Sequence, residues 1–213
     1  MSQLSDDLEV IAKRIRTSFS AQDDAREKAL PICREVIRYS SATIRSIHRH
    51  EFDAAQKTLA EAGYLLSEAG CHLATCTALE NTRFLLDAQK EYAEAHATLA
   101  LTTGKPLPTP EEIEVDYAAY LNGLAEAASE LRRYLLDELR SGDSRRGEDL
   151  LSAMDDIYSI LITMDFPDGI TGGLRRTTDM LRGVLEKTRS DLTLSVQQSR
   201  LEEKLEEFGY KLK

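Results

Sequence analysis

Apolar side chains recur every three or four residues along almost the whole chain, which is the spacing of one face of an α-helix. The pattern begins at Leu4, Leu8, Ile11, Ile15 and Phe19. It resumes over about 26–50, 52–66, 81–100, 110–140, 147–165 and 174–208. A chain of 213 residues is long enough for one domain with a substantial core. The pattern therefore predicts an all-α fold, a helical bundle of about six to seven helices forming a single domain over residues 1–213.

Composition narrows the classes of protein to which the chain can belong. The three cysteines, at positions 33, 71 and 76, lack a C-x-x-C spacing, which argues against a disulfide framework and against a zinc site. The N-terminus has no basic region followed by an apolar segment, and no apolar run approaches a membrane-spanning length. We therefore expect a cytoplasmic protein with no membrane partner. The net charge of -10 argues against general affinity for nucleic acid but leaves room for a local basic groove.

A proline-rich segment divides the helical pattern near the middle of the chain. Residues 104–110 include three prolines in five positions, which predicts a rigid, extended connector. Thr109-Pro110-Glu111-Glu112 then has an N-cap residue, a first-position proline and a carboxylate at the third helical position. This motif predicts that a new helix starts at Pro110 and continues to Arg140, with a break near Val115.

Paired carboxylates lie on the helices on both sides of this connector. Glu91 and Glu94 are three residues apart and project from one side of a helix, and Glu126 and Glu130 are four residues apart on the next helix. If the two helices pack antiparallel, all four carboxylates converge. Each ionised pair would then repel by about 4 kcal/mol at a separation of about 4 Å, so the cluster would need protons or cations. Ligands that are all oxygen favour Mg²⁺ or Mn²⁺ over zinc.

Two other interpretations compete with a magnesium site. A ferritin-like di-iron protein needs Glu-x-x-His on two helices, and none of the four histidines follows a glutamate by three positions. In a purely structural bundle the four glutamates would simply face water, and spacing alone leaves that interpretation open.

Arginines form a stripe along the helix predicted over residues 26–50. Arg34, Arg38, Arg45 and Arg49 share one face, whereas Leu30, Cys33, Ile37, Ile44 and Ile47 mark the expected inward face. Guanidinium groups bind phosphate or carboxylate in a planar, bidentate manner. The alternative is a solvated face paired with Glu27, Glu35 and neighbouring helices. His48 and His50, two apart, do not share a helix face, so we do not expect them to bind a metal together.

Three segments of the chain closely resemble the translin superfamily. They are Gln89-Lys-Glu-Tyr-Ala-Glu-Ala95, residues 120–133 (YLNGLAEAASELRR) and residues 174–192 (LRRTTDMLRGVLEKTRSDL). The first resembles the catalytic branch, translin-associated factor X. Ile47-His48-Arg49 is also similar to the family, so the resemblance covers the chain from Arg26 onward.

This resemblance implies assembly into a hollow oligomer, a homo-octamer, that binds RNA or single-stranded DNA inside its shell. In the catalytic branch an acidic cluster binds Mg²⁺ and cuts RNA. The family's Glu-x-x-Glu falls on Glu91 and Glu94, and its Asp-x-x-x-Glu falls on Glu126 and Glu130, with Glu126 where the family commonly has Asp. The leading hypothesis is a Mg²⁺-dependent endoribonuclease for single-stranded or short RNA, with the arginine stripe binding phosphates. A non-catalytic RNA- or DNA-binding oligomer is the alternative, and a related translin-like subunit is a further candidate partner.

The last helix has a structural interpretation of its own. Its basic residues, including Arg175, Arg176 and Arg189, are interleaved with acidic ones, so we expect ion pairs within and between helices to account for most of them. Apolar positions persist to the end of the chain and predict a surface between subunits. They are Leu192, Val196, Leu201, Leu205 and Phe208.

Overall fold

The computed structural model describes residues 3–74, 79, 82–141 and 144–211, and these residues form seven α-helices with no β-strand among them. The helices are α1 (Gln3–His48), α2 (Phe52–Leu73), α3 (Arg83–Thr103), α4 (Tyr117–Ser141), α5 (Ser144–Leu161), α6 (Asp168–Thr171) and α7 (Leu174–Lys211). The predicted all-α fold is confirmed. Within the same ranges, no helix is both long and apolar enough to cross a membrane. Cys76 lies outside the described residues.

The first two predicted helices are one continuous helix, α1, which passes through Pro31. Its buried face is shifted by about one residue from the expected one, because small side chains point inward. The buried positions are Ala25, Ala29, Cys33, Val36, Ser40, Thr43 and Ile47. Leu30, Ile37 and Ile44 lie at the edge of this face and are only partly buried. Small residues in the interface let the backbone of α1 approach its neighbours closely.

The helices α3 and α4 run in the same direction, not antiparallel as the carboxylate argument supposed. Lys90 of α3 contacts Glu126 of α4. Arg146, just beyond the end of α4, donates hydrogen bonds to the carbonyls of Leu101 and Thr102 at the end of α3. The connector makes this possible, since it returns along α3 to the level of Gln89, whose side-chain oxygen accepts a hydrogen bond from the backbone N–H of Asp116 at 3.3 Å.

The predicted start of α4 at Pro110 is wrong, although the break near Val115 is real. Thr109 and Glu112 do form the reciprocal capping bonds, at 2.7 and 3.2 Å. The turn they close ends at Glu114, whose φ of 53° lies in the left-handed region and stops a helix. Asp116 then caps α4 by accepting a hydrogen bond from the backbone N–H of Ala118 at 2.8 Å.

Candidate metal centre

Three of the four predicted carboxylates meet between α3 and α4. Glu91, Glu94 and Glu126 each offer an oxygen within 4.8 Å of the others. Glu94 is buried, at 7% exposure, whereas the side chains of Glu91 and Glu126 are partly accessible. The parallel arrangement of the helices brings these residues together as effectively as the antiparallel one would have done. The result is a half-open acidic site in which one carboxylate, that of Glu94, is buried.

A glycine in α4 allows this close approach. A Cβ at Gly123 would lie 2.6 Å from the carbonyl oxygen of Lys90 and 2.9 Å from the backbone nitrogen of Glu94. No other residue fits at such distances without separating the two helices. Gly123 therefore sets the distance between Glu94 on α3 and Glu126 on α4.

Burial and the neighbouring charges give Glu94 an unusual affinity for protons. Burial raises the pKa of Glu94 to about 8, with further contributions from the carboxylates of Glu91, Glu126 and Glu130, and only Lys90 opposes the shift. A buried carboxylate among like charges is stable only when a proton or a cation neutralises it. Its environment therefore favours either a bound proton or a bound cation.

Lys90 is the one residue of this cluster that the sequence argument overlooked. Its ammonium donates to Glu126 at 2.6 Å and lies 3.2 Å from Glu91. Burial lowers the pKa of Lys90, but the hydrogen bond and charge of Glu126, together with Glu91, raise it overall. Lys90 therefore stays charged and neutralises part of the cluster. Lys90 lies four residues before Glu94, one helical turn away, and this spacing is the one feature of the sequence that places Lys90 beside the cluster.

Glu130 does not join the other three carboxylates but binds His48. The His48 Nε2 lies 2.7 Å from the carboxylate of Glu130, and the His48 side chain is 2% exposed. This hydrogen bond lowers the pKa of Glu130. The contact links α1 to α4 at the edge of the acidic site. Because 82 residues separate the two partners, local sequence spacing could not predict it.

Comparisons with known proteins identify the family. No protein-family model matches the chain. An uncharacterized protein of Methanocaldococcus jannaschii is 28% identical over 186 residues, which cover 86% of this chain and 82% of that protein. The structure of AfC3PO in complex with duplex RNA is 33% identical with a TM-score of 0.77, and the match covers 92% of this chain and 98% of that one. C3PO-like proteins are translin-family proteins. The chain belongs to the translin superfamily.

Two further solved structures agree with this assignment. A crystal structure of AfC3PO is 34% identical, with a TM-score of 0.76 and coverage of 92% of this chain and 99% of that one. Apo-NeC3PO is 19% identical with a TM-score of 0.73 over 92% and 98% of the two chains, and it shows the shared fold alone.

In this translin-superfamily protein the four arginines of the α1 stripe are all exposed. Arg38 pairs with Glu35 at 2.9 Å through Nε and lies over the ring of Tyr39, with 4.5 Å from its guanidinium carbon to the ring centroid. Arg34, Arg45 and Arg49 form no ion pair with any residue in the described part of the chain. His48, which binds Glu130, lies between Arg45 and Arg49 in the sequence of α1.

Proposed function

We propose that this protein is a Mg²⁺-dependent endoribonuclease that hydrolyses phosphodiester bonds in single-stranded or short RNA. The observation that carries the proposal is the convergence of Glu91 and Glu126 on the buried carboxylate of Glu94. RNA as the ligand is supported by the 33% identical AfC3PO, whose structure contains duplex RNA. The exposed arginine stripe on α1 is a second support, because guanidinium groups bind phosphate in two-point contacts.

The residues present fit a magnesium or manganese ion. The three residues of the cluster all offer carboxylate oxygens, which are the ligands that Mg²⁺ and Mn²⁺ prefer, and not the sulfur or imidazole ligands typical of zinc. Glu91, Glu94 and Glu126 would hold the ion, with Glu130 at the edge of the site. A bound Mg²⁺ supplies Lewis-acid stabilisation of a phosphate and lowers the pKa of water at the site.

The surrounding side chains position the substrate and tune the charge of the site. The Lys90 ammonium neutralises part of the negative charge of the cluster and lies where a phosphate would approach Glu126. His48 fixes the orientation of Glu130. Arg45 and Arg49, on either side of His48, hold the phosphates of the strand on the α1 side, and Arg34 and Arg38 extend this contact along the helix.

The proposal includes assembly of one translin-like domain into a hollow homo-octamer in the cytoplasm, with RNA bound inside. Large apolar side chains near the end of α7 support an interface with further copies, since Leu201, Leu205 and Phe208 are about 60% exposed. A related translin-like subunit would use the same surface.

The alternative function is a non-catalytic oligomer that binds RNA or single-stranded DNA. One observation favours it, because the Lys90 ammonium already occupies a position between Glu91 and Glu126 and could replace a metal ion there. Lys90→Met separates the two functions. If the site binds metal, calorimetry should show Mg²⁺ affinity increased by about tenfold or more, because a competing positive charge is gone. Under the alternative, the wild type shows no detectable Mg²⁺ binding.

The decisive experiment compares purified wild type with Glu91→Gln/Glu94→Gln on labelled single-stranded RNA, in Mg²⁺ and in EDTA. We expect Mg²⁺-dependent cleavage by the wild type, loss of cleavage in the double variant, and RNA binding by both. A matched control, Glu61→Gln/Glu68→Gln on α2, removes two carboxylates away from the site and should cleave normally. Undiminished cleavage by the Glu91→Gln/Glu94→Gln protein would rule out this site. Binding without cleavage by the wild type would favour the alternative.

A further inference from the structure

A second cavity adjoins the candidate metal centre and shares two residues with it. It measures about 590 Å³ and lies between α3, α4, α6 and the start of α7. Lys90 and Glu126 form the wall that faces the acidic cluster, and Arg176 of α7 lies among the residues that line the cavity. Its volume falls in the range of pockets that hold small organic ligands, roughly 300–1,000 Å³.

Among the cations that line this cavity, Arg176 differs from Arg83 and Lys90 in forming no ion pair with any residue that the structure describes. Arg83 lies 3.8 Å from Asp87, and Lys90 is bound by Glu126 at 2.6 Å. We expected ion pairs along α7, and Arg189 does pair with Asp155 at 2.6 Å. Arg176, by contrast, makes no ion pair with a residue in the described ranges. An arginine without a carboxylate partner is available to bind an anionic group of a ligand.

The other surfaces of the cavity suit the uncharged parts of a nucleotide. Leu86 and Met180 contribute apolar surface to the cavity, and Met180 is 62% exposed and so accessible to a ligand there. Asp168 offers a hydrogen-bond acceptor for hydroxyl or amino groups. Gly172 and Gly173, with φ of 62° and 86°, turn the chain beside the cavity and leave its rim free of side chains.

Helix α4 places the cavity, the acidic cluster and the contact with His48 of α1 in one line. Asn122 lines the cavity, Glu126 belongs to both the cavity and the cluster, and Glu130 binds His48 on α1. These residues are spaced by four along α4, so successive positions lie on one side of the helix about 6 Å apart. The acidic cluster is therefore between His48 of α1 and the cavity.

We propose that this cavity is a nucleotide-binding subsite, in which one nucleotide of an RNA strand binds beside the acidic cluster and Arg176 holds its phosphate. The strand crosses α4, with the α1 arginines on one side of the cluster and Arg176 on the other. This inference rests on the proposed function, because it uses RNA as the ligand. It assigns a role to Arg176 and Met180 that neither the metal centre nor the arginine stripe requires.

The test measures binding of a fluorescein-labelled single-stranded RNA to the full-length protein in EDTA, so that no metal or cleavage is needed. Arg176→Ala should weaken binding by about fivefold. It should also reduce the slope of log affinity against log salt concentration by about one, because one phosphate contact is lost. Met180→Glu, at an exposed position where folding is not at risk, should weaken binding at least as much by placing a negative charge in the cavity. Arg175→Ala is the matched control, since Arg175 is the adjacent exposed arginine and lines a different cavity.

The outcomes separate this subsite from the proposed nuclease. Equal effects of Arg176→Ala and Arg175→Ala, or no effect of Met180→Glu, would overturn the subsite even if Glu91 and Glu94 prove essential for cleavage. Selective loss of binding in Arg176→Ala and Met180→Glu would support the subsite even if the wild type does not cleave RNA. In a protein that cleaves, the same two variants should raise KM about fivefold with kcat little changed, because Arg176 lies outside the acidic cluster.

Discussion

Glu94 makes the acidic site dependent on pH. In the unfolded chain this carboxyl loses its proton near its ordinary pKa of 4.5, whereas in the folded chain it keeps the proton up to a pKa of about 8. Between these values the folded state binds more protons than the unfolded state, so stability falls as pH rises. The loss is at most about 1.4 kcal/mol per pH unit. Ionisation of Glu94 thus makes the metal-free protein less stable at neutral pH than at acidic pH.

We therefore predict that the free energy of unfolding in EDTA decreases from pH 5 to pH 8. Urea titrations across this range measure it. Glu94→Gln, which cannot ionise, should remove most of the decrease and be more stable than the wild type at pH 8, whereas the control Glu61→Gln should follow the wild type. Mg²⁺ should bind more tightly at pH 8 than at pH 6, because it must displace the proton. A pH-independent stability of the wild type would contradict the assignment.

At the residue scale, the sequence predicts the ligand types but not all of their partners. Spacing on single helices placed Glu91 beside Glu94, and it located Glu126 on the next helix. Lys90 and His48 were missed because their contacts depend on how distant helices are packed. Glu130 illustrates the same limit, since a residue 82 positions away determines where its carboxylate is held.

At the scale of elements, the contact between α3 and α4 depends on a single glycine. We predict that Gly123→Ala forces these helices apart and destabilises the protein by about 1–3 kcal/mol, because the new methyl group would lie 2.6 Å from the carbonyl oxygen of Lys90. Separation of Glu94 from Glu126 should also weaken Mg²⁺ binding. Urea denaturation and calorimetry measure the two effects.

The matched control is Gly183→Ala in α7, where an added Cβ meets no atom within 4 Å. Since alanine favours helix more than glycine does, this variant should be about 0.5–1 kcal/mol more stable than the wild type. If the two substitutions had the same effect, helix propensity and not helix separation would be the explanation.

Helix positions were predictable from periodicity, but helix directions were not. A repeat of apolar residues is identical whether a helix runs up or down the bundle, and the connector over 104–116 is long enough for either arrangement. The capping motif at Thr109 was equally local, and it formed without starting α4, because the left-handed φ of Glu114 ended the turn. Local signals therefore identified elements, whereas tertiary contacts decided their orientation and their ends.

At the scale of the whole molecule, the two ends of the chain present apolar stripes that the fold does not cover. The first is Leu4, Leu8, Ile11, Ile15 and Phe19 on α1, and the second is Leu201, Leu205 and Phe208 on α7. Leu192, which we expected in the same surface, is instead buried in its own chain at 4% exposure. A truncation just before Leu192 would therefore damage the core, and point substitutions nearer the C-terminus test assembly more cleanly.

We predict that Leu201→Asp/Leu205→Asp dissociates the proposed octamer without unfolding the subunit. Each leucine contributes about 2 kcal/mol when it is buried against another copy, and a buried carboxylate would reverse that contribution. Native mass spectrometry measures the assembly, and circular dichroism checks the helix content. Ser199→Asp/Tyr210→Asp is the matched control, because it adds the same two charges on the opposite side of α7 and should leave the mass unchanged. If the leucine variant keeps the mass of the wild type, another surface, such as the α1 stripe, must join the subunits.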